Sequence, residues 1–206
     1  MHYGALLALI LFSANLKTDM TSAKRDVVRI LSSETKILGQ TNVNNFTCTA
    51  VQGNRAQHLK IFSRVTDKGI DFRDFLITLN VNEFDCGMKV MTKDFKSTIK
   101  GDEYPTIGLE IQSIVFNKGN GLTEGKSDAE SSVKIRLAGQ DHKEHIREGQ
   151  LIKEGNTYII KGQQSLNMTD FGLEPPSKFM GMVKVKDALV INFDITIEII
   201  EAGTAD

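Results

Sequence analysis

Hydrophobic and polar residues alternate along most of this chain with a period of two. The clearest stretch is residues 189–199 (LVINFDITIEI), where Leu189, Ile191, Phe193, Ile195, Ile197 and Ile199 share one face and Val190, Asn192, Asp194, Thr196 and Glu198 the other. Such a pattern predicts a strand with one dry and one mostly wet face. Residues 74–82 repeat it with Phe75, Ile77, Leu79 and Val81. Residues 106–116 place Ile107, Leu109, Ile111 and Val115 together, and residues 131–138 set Val133, Ile135 and Leu137 against Lys134 and Arg136. Weaker strand signals lie at 27–31, 35–39, 58–65 and 157–168, the last carrying Leu166, with 179–185 feeding the final strand. About eight or more strands and few helices predict an all-β domain. Regular alternation favours antiparallel hairpins that close into a barrel.

One segment departs from this period. Across 86–99 (CGMKVMTKDFKSTI), Met88, Met91, Phe95 and Ile99 follow helical spacing while Lys89, Lys93, Lys96 and Lys100 form the opposite stripe. An amphipathic helix is expected, with Gly101 as its C-terminal cap and Pro105 opening the next strand. Its apolar stripe must be buried, and the side or open end of the barrel is the economical place. The lysines read first as a solvated face, with anionic headgroups as the functional alternative.

Between strands, residues 117–128 read as a flexible hairpin connection. The 169–181 segment (TDFGLEPPSKFMG) carries Phe171, Leu173, Phe179 and Met180 among glycines and prolines. It is expected as an exposed apolar loop, and such loops need a binding partner or ligand to explain them.

Charge and composition narrow the function. With 25 Lys+Arg against 26 Asp+Glu, the net charge of -1 provides no basic field for a phosphate backbone, so nucleic acid is not expected as a partner. Residues 5–12 (ALLALILF) are apolar but too short to span about 30 Å of hydrocarbon. They suit a secretory signal peptide within residues 1–20, although the segment before them lacks Lys and Arg; a buried N-terminal segment is the alternative. The expected divisions are the leader, a barrel domain over 26–200 and a tail over 201–206.

Catalytic motifs fail. Past the leader the chain holds only His58, His142 and His145 and no G-x-S-x-G, and the glycines at 119, 121 and 125 miss dinucleotide-loop spacing. The DHKEH segment, 141–145, lacks a marked third metal ligand and reads as a solvated turn, so no metal or cofactor is expected. Asn45 and Asn167 begin formal glycosylation sequons, which would carry no meaning if the chain were bacterial. Cys48 and Cys86 are expected to pair if the chain reaches an oxidising compartment, two free thiols being the alternative.

The order of three pieces resembles the YceI-like lipid-binding family. These are GQTNVNNFTC (39–48), VMTKDFKSTIKGDEYPTIGLEI (90–111) and LNMTDFGLEPPSKFMGMVKVKDALVINFDITIEI (166–199). The resemblance covers about 27–199 and places Tyr104, Pro105, Asp170, Phe171 and Gly172 at motif positions. It implies an eight-stranded antiparallel lipocalin-like β-barrel with one amphipathic helix near the mouth, exported to the bacterial periplasm or secreted. The implied ligand is a polyisoprenoid, isoprenoid quinone or fatty amphiphile.

On this reading the pocket is built from Phe75, Ile77, Leu79, Leu109, Ile111, Ile135, Leu137, Leu166, Ile191, Phe193, Ile195 and Ile197, with Met88, Met91, Phe95, Phe171, Phe179 and Met180 at the mouth. Methionines there would give a deformable surface suited to a flexible chain. The expected function is non-enzymatic lipid sequestration or transport, with transient membrane-surface contact and a homodimer both left open. A stress-protective or interaction protein with a packed barrel core is the alternative, and a lipid-acting enzyme ranks third.

Overall fold

The computed structural model describes residues 23–66, 68–116, 123–178 and 180–200, with side chains left out at 53–56. The expected leader, the first half of the glycine-rich connection, Phe179 and the tail lie outside the described residues. In chain order the strands are β1 (Lys24–Thr41), β2 (Asn45–Val65), β3 (Gly69–Arg73), β4 (Leu76–Asn80) and β5 (Phe84–Asp85). Helix α1 (Lys89–Thr98) follows, then β6 (Thr106–Phe116), β7 (Gly125–Leu137), β8 (Gln140–Glu154), β9 (Thr157–Asn167), β10 (Ser177–Lys178) and β11 (Val183–Ile200).

All the long strands belong to one antiparallel sheet, ordered β1-β11-β9-β8-β7-β6-β3-β2, which closes where β1 pairs with β2. Short β3 and β4 both pair with β6, and β3 and β5 both pair with β2, so these three segments share one stave. Together with the seven long strands this makes the expected eight-stave barrel. Its inward residues form a continuous apolar core from Val28 and Ile61 at one end to Leu137, Leu166 and Phe171 at the other. No helix among the described residues is long and apolar enough to cross a membrane.

Bulges explain where the alternation misleads. Register shifts on β1 at Ile30/Ser32, on β6 at Ile111/Ser113 and on β8 opposite Ala129/Ser131 each move that strand's inward set by one position. Val115, expected inside with Ile111, is therefore exposed, and Ile114 and Phe116 face the core instead. The first bulge also joins the two weak strands at 27–31 and 35–39 into the single β1. The DHKEH segment is no turn: it belongs to β8, which follows a tight turn at Ala138 and Gly139, both at positive φ.

Two local details of α1 differ from expectation. The helix begins at Lys89 because the Asp85 carboxylate accepts from the Gly87 N–H and the Thr92 hydroxyl, holding 85–88 in a turn. At the other end the left-handed residue is Lys100, φ 55°, and the Gly101 N–H donates to the Lys96 carbonyl at 2.8 Å. Gly101 is needed for space rather than for conformation, since a Cβ there would lie 2.5 Å from Val81 Cγ1.

Candidate functional site: an apolar cavity at the barrel mouth

The barrel end that carries α1 and the β9–β11 connection is covered by a lid of two parts. Cys48 on β2 is bonded to Cys86, which fixes the start of α1 against the wall. Phe95 of the helix then lies on Phe84, ring centroids 5.3 Å apart, and Ile99 is buried beneath it. The second part is the 3-10 turn Met168–Phe171, closed by Gly172 in the left-handed region. Phe171 and Leu173, expected as exposed loop residues, are instead almost completely buried and plug the mouth. Phe171 rests on the His142 ring at 4.7 Å between centroids.

Asp187 holds this turn from β11. It accepts from the Thr169 N–H at 2.9 Å and the Thr169 hydroxyl at 2.6 Å, and the two donors lower its carboxyl below the usual range. Tyr104, at the motif position before Pro105, packs over Gly139 in the β7–β8 turn, where a Cβ would come within 2.7 Å of its ring. Its hydroxyl is raised above the ordinary phenol range by hydrogen bonding to Glu103.

Under the lid lies a cavity of about 70 Å³. Of the residues expected to form the pocket, Leu79, Phe95, Leu109, Ile135, Leu137, Leu166, Phe171, Ile191 and Phe193 line it. Ile37, Phe84, Ile99, Ile107, Ile146, Met168, Leu173 and Leu189 line it as well, with Thr35, Gln164 and Asn167 as polar wall positions. Ile107, Ile99 and Leu189 carried a periodic signal; Ile146 sits alone among charges and carried none.

Other expected pocket residues lie elsewhere. Ile77, Ile111 and Ile195 are packed core, and with Ser33 and Val133 the last two form a dense layer across the middle of the barrel. Phe75 and Ile197 line a separate cavity beyond that layer, at the opposite end. Met91 packs beside the disulfide. Met88 is 60% exposed and Met180 fully exposed, so neither faces the cavity: one precedes the helix, the other lies on a turn that points outward. With Leu38, Val43, Val90 and Met182 they give this end of the barrel exposed apolar side chains.

The two candidate metal-ligand histidines fall on opposite faces of β8. His142 contacts Phe171 inside the mouth, whereas His145 meets Glu130 on the outer wall at 2.7 Å. A larger depression, of about 670 Å³, is a polar saddle on the outside of the barrel, among charged side chains such as the paired Lys161 and Asp194.

No protein-family model matches the chain, nor does any curated protein sequence. Solved structures do. BcnA of Burkholderia cenocepacia aligns over 86% of this chain and 98% of its own at 13% identity and a TM-score of 0.49. A YceI protein of Campylobacter jejuni aligns over 67% and 79% at 8% identity and a TM-score of 0.46. A polyisoprenoid-binding domain from Saccharophagus degradans, implicated in plant cell wall breakdown, aligns over 83% of this chain and 97% of its own, with 10% identity and a TM-score of 0.51. The chain has the fold of that Saccharophagus domain. At that identity the likeness is one of architecture, and the ligand of this barrel has to be argued from its own residues.

Proposed function

We propose that this YceI-like barrel is a non-enzymatic binder or carrier of a long-chain amphiphile, of polyisoprenoid, isoprenoid-quinone or fatty-acid type. The observation that carries the reading is the apolar cavity under a two-part lid, lined almost wholly by hydrocarbon side chains. The binding of a polyisoprenoid by the Saccharophagus domain of the same fold supports it. The cavity's volume of about 70 Å³ is well below the ~300–1,000 Å³ of ligand pockets. Uptake of a long chain therefore requires α1 and the 168–173 turn to shift outward. Each CH₂ buried contributes about 0.8 kcal/mol, which a few isoprene units turn into useful affinity. Export through residues 1–20 to a bacterial periplasm or beyond, with 26–200 as the mature domain, fits the disulfide. Brief contact of the mouth with a membrane fits its exposed methionines and lysines.

A second reading rests on the packed middle layer of Ser33, Ile111, Val133 and Ile195. On that reading the barrel is a solid core, and its mouth serves a protein partner in stress protection. Mass spectrometry of an organic extract from the purified chain separates the two. A stoichiometric long-chain species is expected; its absence from protein purified without detergent favours the solid barrel.

A further inference from the structure

The barrel end opposite the lid holds a second cavity, of about 200 Å³, that shares no lining residue with the first. Its walls are apolar, with Val28, Ile61, Phe75, Ile114, Ile160 and Ile197 among them, and its rim includes exposed Val65 and half-exposed Lys24. The polar groups are few and grouped: Asp26, Ser63, Asn156 and Tyr158. An apolar chamber with a small set of convergent polar groups is the form of an amphiphile site.

Asp26 is the unusual member. It is only 4% exposed. Its Oδ2 accepts from the Ser63 hydroxyl at 2.6 Å. Its Oδ1 stands 3.2 Å from Lys24 Nζ, which balances the charge, yet accepts no hydrogen bond. A buried carboxylate oxygen whose one neighbour is a half-exposed ammonium is incompletely satisfied, and a ligand that brings a further proton donor completes it. Because Lys24 already supplies the positive charge, the matching head is an uncharged donor. A carboxylate head would meet Asp26 with like charge and no proton. Burial raises the Tyr158 phenol, so it stays protonated and can complete the same head's hydrogen bonding.

We infer that this far-end chamber is a second binding site, selective for amphiphiles with a hydroxyl head and an aliphatic tail. It is independent of the mouth cavity, so an organic extract without lipid would remove the carrier reading and leave this one standing. The test is a methyl-resolved NMR titration of the whole chain with octanol, octyl methyl ether and octanoate. Octanol should shift the methyls of Ile61, Ile114, Ile160 and Ile197, and bind about tenfold more tightly than the ether, which has no proton to donate. Octanoate should bind no better than the ether. Asp26→Ala should abolish the preference for alcohol over ether, and Leu109→Trp at the mouth should leave it unchanged. Should Asp26→Ala fail to fold, the alcohol–ether comparison on the unsubstituted chain decides alone. Equal affinities, or octanol shifts confined to mouth residues such as Leu137 and Leu166, would overturn the proposal.

Discussion

Lys178 donates to Asp94 at 2.9 Å, and through this pair the β9–β11 connection is tied to helix α1 across the barrel mouth. Both side chains are partly exposed, and such pairs are worth about 0.2–1 kcal/mol. A latch that weak suits a lid that must open. Lys178→Ala is expected to leave the melting temperature nearly unchanged and to speed lipid exchange between protein and vesicles severalfold. Fluorescent-lipid transfer measured beside thermal unfolding checks both parts; unchanged exchange would show that the two halves of the lid move separately.

Asp187 gives the lid a pH limit. Its carboxyl is lowered in the folded chain by the Thr169 hydroxyl and N–H, so its contribution is present above the unfolded value of about 3.9 and lost as pH falls through the folded one. Hydrogen exchange of the Thr169 amide should therefore be protected at neutral pH, lose protection only in strong acid, and in Asp187→Ala be unprotected throughout. Exchange must be corrected for its intrinsic pH dependence before the comparison.

Cys48 and Cys86 close a loop of 38 residues' separation, and loop entropy assigns such a bridge about 4 kcal/mol. Protein recovered from an oxidising compartment should show no free thiol when denatured without reductant. Cys48→Ala with Cys86→Ala should lower unfolding free energy by roughly that amount in a denaturant titration. A loss under about 1 kcal/mol would mean that α1 is held by Phe84, Phe95 and Ile99 without the bridge.

Much of this fold was legible because inward residues such as Phe75, Ile77, Leu79 and Ile195, Ile197 keep strict alternation within their segments. β8 was not legible, since only Ile146, Gly149 and Leu151 of its inward positions stand out among charges. Val115 misled because period two has no way to register a bulge until the partner strand is present. The mouth was half legible: Phe95 and Phe171 are there, but the exposed Met88 and Met180 show that an apolar residue near a cavity in sequence need not face it. The split of the interior into two cavities follows two buried cross-strand pairs that line neither, Ser33 with Ile195 and Ile111 with Val133, relations between distant segments that no single stretch contains.

The lysine stripe narrows on inspection. Lys96 donates to the Asn82 carbonyl at 2.8 Å, leaving Lys89, Lys93 and Lys100 as the exposed positions beside the apolar mouth. Charge reversal at these three should reduce transfer to anionic vesicles, leave transfer to neutral ones unaltered, and remove the salt dependence. If transfer is the same in all conditions, the stripe only solvates the helix.

The cavity itself can be tested by adding bulk where the structure distinguishes room from packing. Leu137 lines the space under the lid, so Leu137→Trp should fill it, and the delipidated variant should melt close to the unsubstituted chain while retaining less lipid. Ile195 is 1% exposed and lies in the middle layer between the cavities, with no space beside it. Sequence alternation alone treats the two as equivalent inward positions, but overpacking a filled site costs about 1 to 3 kcal/mol, so Ile195→Trp should be clearly destabilised. Both proteins must be compared after lipid removal, because bound ligand raises the melting temperature by itself. A carrier predicts the contrast between the two variants together with lipid in the parent protein. Equal and marked destabilisation of both, with no lipid extractable from the parent, would mean that the mouth is as solid as the middle and that the barrel serves as a scaffold.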